Sequence, residues 1–110
     1  MATAVEPFYA AFGALVREHR SGRGLTQAVL GARLVPPVTR ASVANLEAGK
    51  QRVLLDTALQ LASLLEVPIT DLLPPRGPAG PWEALVDELT AKLDLSPKQV
   101  ERLLTQVGAP

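Results

Sequence analysis

The chain has 110 residues, 47% hydrophobic and 20% charged, and its 11 basic and 11 acidic side chains balance to a formal net charge of 0. That composition belongs to a chain that folds rather than one that stays disordered. Without cysteine there is no disulfide framework, thiol nucleophile or thiolate metal site, and no apolar run approaches the ~20 residues a membrane span needs.

The N-terminus lacks the basic stretch and apolar run of a signal peptide, so a cytoplasmic protein is expected, one that associates with the nucleoid if it binds DNA. Only 4% of residues are aromatic, so Leu, Val and Ala must build the core, which suits helices packed on helices. Charge is uneven along the chain. Through Arg76 eight basic side chains stand against six acidic ones, and beyond it three stand against five. A mildly basic first part joined to an acidic tail allows local contact with phosphates.

The first expected helix runs from Pro7 to Arg20. Phe8, Phe12, Leu15, Val16 and His19 share one helical face, and Ser21-Gly22-Arg23-Gly24 supplies the stop. Thr26 is an N-cap type for a second helix ending near Leu34. Val35-Pro36-Pro37-Val38 cannot be helix interior, because Pro37 removes a donor and holds Pro36 extended. Thr39 then caps a third helix that ends at Gly49. A fourth spans Leu55 to Leu65, with Ala58, Leu61, Ala62 and Leu65 as its apolar stripe, and a short helix follows at Thr70 to Leu73.

Pro74-Pro75-Arg76-Gly77-Pro78-Ala79-Gly80-Pro81 reads as a semi-stiff linker. Past it, Trp82, Leu85, Val86, Leu89 and Leu93 form a second amphipathic stripe. Ser96-Pro97-Lys98-Gln99 has the form of a helix start with a capping box, and Val100, Leu103, Leu104 and Val107 mark another apolar face. Three parts are therefore expected: a domain over 1–74, a linker over 75–81 and a two-helix segment over 82–110.

The stretch from Phe12 to Leu73 resembles the Cro/CI-type helix-turn-helix family, the xenobiotic-response-element (XRE) family of transcriptional regulators. The matching residues are Phe12-Gly13, Val16-Arg17, Arg20, Gly24-Leu25-Thr26-Gln27, Leu30, Leu34, Val43, Leu46-Glu47, Gly49-Lys50, Leu55-Asp56-Thr57, Leu61-Ala62 and Leu65 through Leu73. The resemblance implies an all-α, five-helix, lambda-repressor-like domain, here followed by the two-helix C-terminal appendage. It also implies that the third helix enters the major groove of double-stranded DNA, where each base pair shows a distinct donor and acceptor pattern.

Carried over residue by residue, the resemblance assigns Gln27 to a phosphate or to bracing the third helix. Thr39, Arg40, Ser42 and Asn45 become base-reading candidates, with Arg40 suited to a guanine edge and Asn45 to an adenine edge. Lys50, Gln51 and Arg52 should grip the backbone, and Arg17 and Glu47 should form a structural ion pair. Two departures stand out. Gly31 occupies a position where the family usually has Ala, and Val35-Pro36-Pro37-Val38 makes a longer turn than the usual Gly-containing one.

Elsewhere the bland readings prevail. His19, the single histidine, lacks the company a metal site or catalytic base needs. Asp87 and Glu88 are adjacent and point to different sides of a helix. Trp82 is a packing anchor. The tail is too short to fold unaided, so it must pack on the reader domain, on a second copy or on another protein. The second copy is the expected arrangement, with Trp82, Leu85, Val86, Leu89, Leu93, Val100, Leu103, Leu104 and Val107 as the dimerisation face.

The expected function is sequence-specific DNA binding by a homodimeric repressor on a palindromic operator, with no catalysis and no cofactor. An antitoxin-like autoregulator whose tail holds a partner protein, and an adaptor that has lost DNA, are the alternatives.

Overall fold

The computed structural model describes residues 5–78, 80–93, 96, 98–99 and 102. Among them it has five α-helices, one 3-10 turn and no strand. The helices are α1 (Val5–Gly22), α2 (Gln27–Arg33), α3 (Arg40–Glu47), α4 (Leu55–Leu65) and α5 (Pro81–Leu93), with the 3-10 turn at Ile69–Leu72 between the last two.

Local chemistry sets the helix ends. Thr26 Oγ1 accepts from the Val29 N–H at 3.1 Å and Thr39 Oγ1 from the Ser42 N–H at 3.1 Å, so each threonine satisfies a donor that the first helical turn leaves open. Helices α1, α3 and α4 stop in the same way. After α3 the Lys50 N–H reaches back to the Asn45 carbonyl at 3.0 Å and the Gly49 N–H to that of Leu46 at 3.1 Å, the paired closure that needs a left-handed residue between them. Gly49 supplies it at φ 72°. After α4 the same position is held by Glu66 at φ 57°, where a side chain carries a cost that glycine does not.

The expected Pro7–Arg20 helix begins two residues earlier, at Val5, and ends two later, at Gly22, because within the Ser21-Gly22-Arg23-Gly24 stop the left-handed residue is Gly24. The short helix expected at Thr70–Leu73 is a single 3-10 turn one residue earlier, entered from Pro68. Pro81 belongs to α5, taking the first helical position where its missing N–H costs nothing.

The core lies between α1, α2, α3, α4 and the 3-10 turn. Phe12, Val16, Leu30, Leu34, Val43, Leu46, Leu61, Ala62, Leu65 and Leu72 are buried in one cluster. These side chains come from every element of the first part, so no helix there is dispensable. Helix α5 contributes no buried residue and rests on α1. Phe8 of α1 and Trp82 of α5 pack with ring centroids 5.4 Å apart, and Arg76 of the linker lies over the Trp82 ring at 5.6 Å while pairing with Glu83 at 3.3 Å.

Candidate nucleic-acid interface

Helix α3 packs against both α2 and α1, burying Val43, Leu46 and Glu47. That leaves Arg40, Ala41, Asn45 and Ala48 exposed along its outer side. The approach to α2 is close because of Gly31. A Cβ there would stand 2.6 Å from the Val38 carbonyl oxygen and 3.1 Å from the Val43 side chain. The longer turn thus doubles back over α2, and glycine replaces the family's usual alanine because the chain fills that space. The Val38 N–H closes the turn on the Gly31 carbonyl at 3.0 Å.

The turn is also held from α4. The Gln60 amide accepts from the Val35 N–H at 2.8 Å and donates to the Val35 carbonyl at 3.0 Å, while the Val35–Pro36 peptide bond is cis. Nothing in the sequence pattern singles out Gln60 for this role.

Glu47 is the hub that fixes α3. Arg20 Nε donates to Glu47 Oε2 at 2.6 Å and Arg20 Nη2 to Oε1 at 3.0 Å, a two-pronged contact. Arg20 Nη1 also donates to the Leu25 carbonyl at 2.8 Å, and Gln27 Nε2 donates to Glu47 Oε1 at 3.0 Å. One carboxylate therefore ties α1, α2 and α3 together. The hydrogen bond that Arg20 donates to Glu47, aided by the carboxylate's charge and opposed by burial, raises the Arg20 pKa above its ordinary value.

The expected Arg17–Glu47 pair is corrected by this geometry, because the partner of Glu47 is Arg20 and Arg17 is exposed. Helical spacing carried the signal: Phe12, Val16 and Arg20 are four residues apart on the buried stripe, and Arg17 lies off it. Of the two roles expected for Gln27, the structure places its amide on Glu47, in the bracing position.

The other expected readers are distributed unevenly. Thr39 is spent on the cap, and its hydroxyl also donates to Ser42 Oγ at 3.1 Å. Ser42 is half-buried, whereas Arg40 and Asn45 are exposed. Lys50, Gln51 and Arg52 are all exposed in the segment after α3. Ala41, which no hydrogen-bonding argument selects, shares the outer side of α3 with Asn45.

A family model described as a helix-turn-helix domain matches residues 11–73. The chain belongs to the helix-turn-helix domain family. The match begins inside α1 and ends at the close of the 3-10 turn, so it spans the cluster that forms the core and stops before α5. No curated protein and no solved structure matches the chain with significance. Helix-turn-helix members place the second helix of the pair against DNA, which here is α3. No described helix is long and apolar enough to cross a membrane.

The expected dimerisation residues divide. Trp82 sits on Phe8 of its own chain, Leu85 and Val86 are half-buried, and Leu89 and Leu93 are exposed. Trp82, expected on the face given to a second copy, has its ring against Phe8 of α1 in the same chain. Val100, Leu103, Leu104 and Val107 lie outside the described residues. The capping box is present: the Ser96 N–H donates to Gln99 Oε1 at 2.9 Å and the Gln99 N–H to Ser96 Oγ at 3.2 Å.

Proposed function

We propose that this chain is a sequence-specific DNA-binding transcriptional repressor of the Cro/CI type, acting as a homodimer on a palindromic operator. The observation that carries the reading is the outer side of α3, which holds Asn45 exposed between alanines and is followed at once by exposed Lys50, Gln51 and Arg52. A small-residue surface lets the helix approach base edges closely, and an Asn amide can meet an adenine with two hydrogen bonds. The Ala41 methyl, one turn before Asn45, suits a thymine methyl. Lys50 and Arg52 supply charge for the flanking phosphates.

Dimerisation would use the part of α5 that α1 leaves uncovered. Leu89 is 39% exposed and Leu93 59% exposed, on the stripe that begins at Trp82. Two copies joined there would set two α3 helices against successive turns of the duplex, and occupancy of the operator would exclude RNA polymerase. A partner protein on the same leucines is the antitoxin-like alternative, separated by whether the purified chain alone has the mass of two copies.

The test is selection of bound fragments from sheared genomic DNA, with mass measured by light scattering on and off the winning fragment. Two inverted half-sites and two chains per fragment are expected. Asn45→Ala should lose roughly 1–3 kcal/mol of discrimination at one base pair per half-site. Sequence preference unchanged by Asn45→Ala would overturn the placement of α3, and no DNA retained at low salt would overturn the regulator reading.

A further inference from the structure

Arg20 saturates Glu47, which leaves the guanidinium expected to pair with that carboxylate without one. Arg17 makes no ion pair among the described residues, and neither does Arg40. Both line one open groove, Arg17 from α1 and Arg40 from the start of α3, together with Arg20, already held by Glu47, and the Leu25–Ala28 segment that leads into α2. No carboxylate lines it. Arg40 is moreover the first residue of α3, whose opening turn contains no acidic side chain. A cation at that end opposes the helix dipole, and a second cation converging on the same groove adds repulsion that an anion would reverse.

We propose that Arg17 and Arg40 together hold a single phosphate of the DNA backbone, at the edge of the site where α3 meets the groove. The inference rests on the DNA-binding reading and deepens it. Guanidinium forks match the oxygens of a phosphodiester, and the position fits the way the helix preceding a recognition helix meets the backbone. It reassigns Arg40 from guanine reader to backbone clamp and makes Arg17 a contact rather than a structural residue. The Ala41 and Asn45 side remains free for bases.

The experiment compares the full chain with Arg17→Gln, Arg40→Gln and the double variant on the selected fragment, by fluorescence anisotropy across a salt series. Both side chains are exposed, so circular-dichroism melts should be unchanged. Because one phosphate is shared, each single variant should weaken all sequences alike. The double variant should flatten the slope of log affinity against log salt by about one phosphate's worth per half-site, not two, with roughly tenfold loss per half-site near 0.1 M salt.

Base preference in a repeat selection should stay as in the parent. A relaxed preference at one base pair in Arg40→Gln would overturn the inference, as would an unchanged slope in Arg17→Gln, or a double variant that loses two phosphates per half-site. Inorganic phosphate titrating both guanidiniums by NMR, with DNA affinity unaffected in the variants, would make this a free-anion site and overturn the DNA assignment. Parent protein that binds no DNA at low salt removes the regulator reading itself, an outcome distinct from variants that bind like the parent.

Discussion

The first four helices and α5 are both amphipathic, yet only the first set closes a core. Every element from α1 through the 3-10 turn sends at least one side chain into a common cluster, whereas α5 buries none completely and meets the rest chiefly through α1. Its stripe is as regular in sequence as that of α4. The difference is the number of neighbours: α4 lies in a bundle that surrounds its apolar face, whereas among the described residues α5 packs chiefly on α1. Among the described residues, Trp82 Nε1 and Glu88 Oε2 are buried without a hydrogen-bond partner, which a well-packed domain seldom keeps.

The largest effect should come from emptying the closed core. Leu65, fully buried, should cost about 2–5 kcal/mol on change to Ala, while Leu93→Ala on α5 should stay within about 0.5 kcal/mol. Urea titrations of the two variants measure the contrast directly, and equal losses would erase it.

Glu47→Ala comes next. It strands the Arg20 guanidinium, whose side chain is only 12% exposed, and should cost about 3 kcal/mol. Glu47→Gln, which keeps the shape, should cost less. Arg17→Ala serves as the comparison and should leave the melting temperature alone.

Trp82→Ala should divide the molecule. Without the stack on Phe8, α5 amides should exchange hydrogen much faster while those of α1 through α4 keep their protection, and global stability should fall by about 1 kcal/mol. If protection is lost throughout, α5 is part of the core and the comparison fails.

The smallest effect is a gain. Glu66→Gly relieves the left-handed backbone after α4 and gives up an exposed ion pair with Arg23 that is worth little. The net change should be a stabilisation below about 1 kcal/mol, read as a raised melting temperature.

Much of this architecture was legible beforehand, for reasons that are local. The start of α3 and the caps at Thr26 and Thr39 follow from side chains acting on backbone groups within a turn of themselves, and the α4 bounds follow its apolar stripe. The Schellman stops at Gly24 and Gly49 belong to the same class. The Arg17 expectation failed although the sequence contained the information: it followed the family position rather than the four-residue stripe through Phe12 and Val16, which leads to Arg20. Gly31 could be noticed but not explained, since its reason is the carbonyl of Val38 folded back across it.

What the sequence determined by itself is the set of helices, their caps and which face of each is apolar, because these depend on contacts within a few residues. The tertiary structure alone decided that Gln60 braces the turn, that Arg17 and Arg40 share a groove and that Trp82 rests on Phe8. Each joins residues distant in sequence. An apolar or charged face states that it needs a partner, and only the approach of one helix to another determines which partner it meets.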